Sequence, residues 1–243
     1  MEYNSKKVDL TENIYQVGRI LATPILEKIY NPIILNRSLV PNDSSRGVVY
    51  APNHRTTVDP FSIIIALNDP VHWVALKRFF DAEDSIFNNN KNLALCYLTK
   101  YLFTYMGFVP IDRNSNNFES LKLMNQYLKD GRNLGIFPEG TTNKHPDLYD
   151  IGPVKPGLTS IAKSNDSWIQ PISILWIKNE KIDNKVIINF REPYLPSQMT
   201  KKEGTDLWLE EVQLGINENK EIINNLSSVS SDDSVKRLKL SIR

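Results

Sequence analysis

The chain has 243 residues, enough to bury a full core within one α/β domain. Lys and Arg number 29 against 28 Asp and Glu, so no global field points to nucleic acid or another acidic polymer, and charged partners must be met by local groups. A single cysteine, Cys96, excludes an intramolecular disulfide, and no stretch approaches the roughly 20 apolar residues of a membrane span.

In chain order, residues 1–40 form an N-terminal amphipathic helical segment. Within it, "LTENIYQVGRILATPILEKIYNPIIL" carries an apolar set broken by Glu12, Arg19, Glu27 and Lys28, and its apolar face either packs on the domain or lies in a membrane interface. The first residues lack the apolar core of a secretory signal, which, with one core-like cysteine, fits a reducing compartment. Residues 41–226 form the main domain. "GVVYAP" is a strand and "DPFSIIIALN" a short helix, with Asp59 as its cap and Pro60 at its first position. "VHWVAL" is a strand, and "NLALCYLTKYLFTYMG" a helix holding Cys96 and stopped by Gly107. After the strand "FVPIDR" comes an amphipathic helix, "NFESLKLMNQYLKDG", whose Phe118, Leu121, Met124 and Leu128 share a face. The strand "NLGIFPEG", a short helix "LTSIAKSN", the strands "IQPISILWI" and "KVIINF", and a closing helix "TDLWLEEVQLGINENKEIINN" complete it. Residues 227–243 are a polar, then basic, tail. The alternation predicts a single α/β domain, with a mixed, largely parallel sheet flanked by helices.

Polar groups gather where strands end. In "YAPNHRTTVDPF", His54 and Asp59 lie five positions apart, which on a regular helix is about 140° past a full turn, so the two can meet only across a turn. A strand ending near Pro52 and a helix opening at Asp59-Pro60 supply that turn. The carboxylate can then fix the imidazole tautomer and favour the charged ring, which is general-base hardware. An Asp59 that only caps its helix beside an ordinary His54 is the bland alternative. Asn53 is expected to fix the turn. Glu139 and Gly140 come after the strand in "NLGIFPEGTTN", Arg113 ends "GFVPIDR" with a planar cation suited to phosphate, and Lys155 and Gly157 precede a helix in "VKPGLTS". His72 and His145 lie outside this pattern and are expected to be structural or exposed.

From about Pro41 to about Tyr194, these blocks resemble the glycerolipid acyltransferase family with its H-x4-D motif, typified by lysophosphatidic acid acyltransferases. "NHRTTVDP" matches the first motif, "GFVPIDR" the second, "FPEGTTN" the third and "IQPISI" the fourth, while "VALKRF" resembles the family's lysine-bearing strand at Lys77. The resemblance implies an O-acyltransferase of phospholipid biosynthesis that moves an acyl chain from an acyl thioester, on coenzyme A or acyl carrier protein, to the hydroxyl of a lysophospholipid. The expected acceptor is 1-acylglycerol-3-phosphate, giving phosphatidic acid. His54 and Asp59 would be the catalytic pair, His54 as general base oriented by Asp59. Arg113, Glu139, Gly140, Thr141, Lys77 and Lys155 would bind substrate. No metal and no cofactor is implied, nor any nucleic-acid partner, and the protein would sit in the cytoplasm, peripherally attached to a membrane.

Thr142 stands where the family's third motif usually carries an arginine, which leaves other lysophospholipids, or glycerol 3-phosphate, open as acceptors. A metal-dependent hydrolase ligated by His54, Asp59 and Glu139 lacks an HExxH or paired-cysteine motif. A non-catalytic lipid-binding protein would not need the whole H-x4-D and FPEG set. No G-x-S-x-G elbow is present, in keeping with transfer that needs no acyl-enzyme.

Overall fold

A computed structural model describes residues 5–42, 45–80, 100–101, 103–144, 150–179 and 182–228. Its centre is a seven-stranded sheet in the order β1-β7-β6-β2-β5-β3-β4. The strands are β1 (Ile33–Leu35), β2 (Val48–Pro52), β3 (Val71–Leu76), β4 (Val109–Ile111), β5 (Asn133–Gly135), β6 (Trp168–Asn179) and β7 (Ile182–Phe190). From β6 to β4 every neighbour is parallel. β7 pairs antiparallel to β6, and β1 runs parallel to β7. The expected α/β architecture is therefore the observed one.

Helices cover both faces. α1 (Ser5–Tyr30) and α2 (Asp59–Ala66) lie on one, and α3 (Phe118–Lys129), α4 (Gly157–Ser164) and α5 (Lys201–Ser228) on the other. Strand alternation divides the core accordingly. Val48 and Tyr50 of β2 pack with Tyr15, Ile63, Ile64 and Trp73, whereas Val49 and Ala51 pack with Met124, Leu128, Ile161 and Trp208. Burial of β2 on both faces explains why "VVYAP" is a continuous apolar run. Trp208 of α5 is fully buried and donates from Nε1 to the Ala51 carbonyl at 2.7 Å, which fastens the closing helix to the strand that leads to His54.

Several expectations require correction. The N-terminal helix ends at Tyr30, and Ile33–Leu35 of the expected helical segment forms the edge strand β1, because its apolar residues find β7 as a ladder partner. Val58, rather than Asp59, caps α2. On α3, Met124 and Leu128 are buried but Phe118 and Leu121 are 63% and 47% exposed, so the apolar stripe is only half used for packing. Cys96, His145 and most of the helix expected before Gly107 lie outside the described residues.

His72 is buried in β3, its Nδ1 3.2 Å from the Met106 carbonyl and its ring stacked on Tyr127. Burial holds its pKa at about 4, against 6.5 for an ordinary histidine. Between those values the unfolded chain binds the proton more tightly, so the native state gains stability as pH rises through this window and loses it as pH falls. The gap is worth about 3 kcal/mol. Urea midpoints of the wild type should drop on acidification from pH 6.5 to 4 with one proton's extra slope. The His72→Gln variant should lack that component; equal slopes would refute the assignment.

Candidate active site

β2 ends at Pro52, and Asn53 sets the path of the chain beyond it. Asn53 donates from Nδ2 to the Ile174 carbonyl at 3.0 Å and accepts from the Ile174 N–H at 2.6 Å, so its side chain continues the strand pairing to β6. His54 then leaves the sheet with both backbone groups held. Its N–H donates to Glu139 Oε1 at 2.6 Å, and its carbonyl accepts from the Asn143 N–H at 2.7 Å. The ring stacks on Phe137, with centroids 3.9 Å apart and planes 24° from parallel.

The His54 Nδ1 lies 2.8 Å from Asp59 Oδ2. The same oxygen accepts from the backbone N–H groups of Arg55 and Thr56, at 2.7 and 2.9 Å. Oδ1 accepts from the Thr56 hydroxyl and from Trp176 Nε1, each at 2.7 Å. Four donors besides the ring surround one fully buried carboxylate and fix both of its oxygens as acceptors. Nδ1 therefore carries the hydrogen, and Nε2 keeps its lone pair as a base. The turn predicted between the two residues exists because Asp59 reaches back into it, which is also why it does not cap its own helix.

Glu139 lies beneath the same turn. It is 3% exposed and does not border the cavity. Its two oxygens accept from the N–H groups of His54 and of Gly152, the latter at 2.7 Å. Burial pushes its carboxyl pKa up, and those two donors pull against the rise. It braces the loop that presents His54. Among the described residues no group of three His, Cys, Asp or Glu side chains could hold a metal.

His54 borders a cavity of about 410 Å³, apolar in its depth and cationic at its rim. Arg113, Gly140, Thr141 and Lys155 line it. Gly140 sits at φ +67°, and a Cβ there would come within 2.9 Å of Lys155 Nζ, so a glycine both permits the turn and lets the lysine lie against it. Arg113 Nη2 donates to the Gly140 carbonyl, placing two cations on either side of one residue. Thr142, at the position of the absent arginine, also lines the cavity. Lys77 does not: it is exposed at the start of the 3-10 turn Lys77–Phe79, and the next two residues, Arg78 and Phe79, reach the cavity instead. Arg78 stands one position past the lysine that the family pattern marks, and no local signal announces Trp176, which meets Asp59 across 117 residues of chain.

The Acyltransferase family model matches residues 27–175, more than half of the chain. The chain belongs to the Acyltransferase family. The match spans the whole His54–Asp59 turn, the Arg113 and Glu139–Thr141 segments and the entry to β6. Among solved structures, that of the 1-acyl-sn-glycerophosphate (LPA) acyltransferase PlsC from Thermotoga maritima is similar in fold. The TM-score is 0.60 at 20% identity, covering 83% of this chain and 81% of that one. No curated protein matches the chain.

Proposed function

We propose that this acyltransferase moves a fatty acyl group from an acyl thioester to the free hydroxyl of a lysophospholipid, with 1-acylglycerol-3-phosphate as the favoured acceptor. The observation that carries the reading is a histidine base, its Nε2 lone pair unengaged by Asp59, at the border of an apolar cavity whose rim holds Arg113 and Lys155. Membership of the Acyltransferase family and likeness in fold to a 1-acyl-sn-glycerophosphate acyltransferase support it.

In this mechanism the acceptor hydroxyl lies against His54 Nε2. The base takes the proton as the oxygen bonds to the thioester carbonyl carbon, the carbon–sulfur bond breaks, and the departing thiolate receives that proton from the imidazolium. No acyl-enzyme forms. Asp59 is a positioning residue that holds the tautomer and balances the ring's charge while the proton is on it. Holding the acceptor phosphate and the thioester in attack geometry supplies a further share of the rate. Thr142 removes one rim cation, and Arg113 and Lys155, flanking Gly140, offer their charge to a phosphate.

Arg113→Ala should raise the KM for a phosphate-bearing acceptor by about 10- to 100-fold, the cost of one charge-assisted contact, with kcat little changed. Steady-state kinetics against 1-acylglycerol-3-phosphate and a phosphate-free monoacylglycerol would check this; an unchanged KM removes Arg113 from the acceptor site.

Both substrate and product are bilayer lipids, and α1 supplies a docking face. Val17, Ile20, Leu21, Ile25 and Ile29 are all more than half exposed along it, an arc wide enough to lie in a membrane interface. No described helix is long and apolar enough to cross a membrane. The Leu21→Asp/Ile25→Asp pair should weaken co-sedimentation with vesicles of phosphatidylcholine and phosphatidic acid by about tenfold or more; undiminished binding would reject α1 as the anchor.

The reaction itself is tested by a panel of lysolipid acceptors against one acyl-CoA and one acyl carrier protein donor, with products identified by mass. Formation of a two-chain phospholipid supports the reading, and its absence with every pair refutes it.

A further inference from the structure

The sheet forks at its carboxyl edge. β5 ends at Gly135, level with Tyr50 of β2 and Trp73 of β3. Beyond that level β2 continues beside β6 to Pro52, and β3 continues beside β4 to Leu76. The cavity fills this fork, so the two faces of the sheet, which elsewhere bound separate cores, both contribute to it. A Cβ on Gly135 would come within 2.3 Å of the Trp73 ring, so the absence of a side chain there lets Trp73 lie across the base of the fork.

The two sides differ in chemistry. On the side of α1 and α2 the lining is aromatic: Phe61, Trp73, Phe79, Phe103 and Phe108. On the side of α3 and α4 it is largely aliphatic: Ile111, Leu121, Met124, Leu158 and Ile161. Successive residues of β3 divide between them, with Trp73 and Ala75 packing on the first side and Val74 on the second. The rim is likewise divided. Arg113 lies two residues past Ile111 after β4, and Lys155 precedes α4, so the segments that carry the two cations continue the aliphatic side, and both side chains meet Gly140. Arg78 lies over the Phe79 ring on the aromatic side. His54 stands on Phe137, which packs with the aromatic set.

We propose that the fork seats one acyl chain on each face of the sheet: the chain of the lysolipid acceptor in the aliphatic lobe beside Arg113 and Lys155, and the chain of the thioester donor in the aromatic lobe beside His54. The inference rests on the lysophospholipid acyltransferase reading and deepens it. Joining two single-chain lipids into a two-chain product brings two chains to one site, and the cavity offers an apolar wall of different character to each. An acceptor phosphate held by the cation pair delivers its own chain to the lobe that the pair overlooks.

Two substitutions separate the lobes. Leu121 is 47% exposed at the aliphatic side, so Leu121→Trp narrows that lobe from its outer wall; Ala75→Leu narrows the aromatic lobe from β3. Each full-length variant is assayed against acceptors of increasing chain length with one donor, and against donors of increasing chain length with one acceptor. Leu121→Trp is expected to lower kcat/KM for long-chain acceptors about tenfold relative to short ones while keeping the wild-type donor profile. Ala75→Leu is expected to shift donor preference toward shorter chains while keeping the wild-type acceptor profile. Reversed pairing, both profiles moving together in either variant, or neither moving, overturns the proposal. If a large substitution prevents folding, Leu121→Phe and Ala75→Val must move the same profiles in the same directions. Failure of the wild type to form any two-chain product would instead overturn the underlying acyltransferase reading.

Discussion

His54→Ala should lower acyl transfer by about 10²- to 10⁴-fold, the usual worth of a positioned general base, while the protein stays folded. The ring stands at a strand-end turn, where its losses are one hydrogen bond to Asp59 and the stack on Phe137. Such losses cost about 1–2 kcal/mol, because Glu139 and Asn143 hold the backbone of this residue and not its side chain. Free-thiol release with a lysolipid present measures the first effect, and thermal unfolding the second. Near-wild-type thiol release would remove His54 from the chemistry.

Asp59 should behave differently, because it serves the fold and the site together. Asp59→Ala strands the backbone N–H groups of Arg55 and Thr56, the Thr56 hydroxyl and Trp176 Nε1 around an empty, buried position. A destabilisation of about 3–5 kcal/mol is expected, as for removal of one member of a buried charged network. Asp59→Asn is the sharper test of mechanism. It keeps the volume but turns an amide toward groups that are themselves donors, and it removes the charge that favours the imidazolium. Activity should fall by at most the full worth of the base, about 10²- to 10⁴-fold, with KM for the acceptor nearly unchanged, since no acceptor contact is lost. A variant with a raised KM and an intact kcat would instead mark Asp59 as a substrate contact.

Much of this arrangement was legible in the chain because the local rules agree with one another. "VVYAP" is apolar throughout because β2 is covered on both faces, and Asp59-Pro60 had to open a helix because a proline fits a first turn. The spacing from His54 to Asp59 could not be helical, so a turn was required. What stayed hidden depends on contacts between segments remote in sequence. Nothing near Glu139 reveals that its oxygens will be taken by the N–H groups of His54 and Gly152. Nothing near Trp176 announces a partner at the turn beyond β2. Ile33–Leu35 looked like the end of an amphipathic helix because three apolar residues carry no period of their own; only the free edge of β7 makes them a strand. Lys77 falls outside the cavity lining for a geometric reason: β3 ends at Leu76, and the tight turn after it sends Arg78 and Phe79 toward the cavity.

In the proposed mechanism His54 activates the acceptor itself, and the acyl group never rests on the protein. Rapid mixing of enzyme with acyl thioester, first alone and then with a limiting amount of lysolipid, distinguishes this from a covalent route. Thiol release should be negligible without acceptor and should then stop at an amount equal to the lysolipid added, with matching two-chain product. A burst of thiol equal to the enzyme concentration in the absence of acceptor, or release indifferent to the lysolipid, would contradict it.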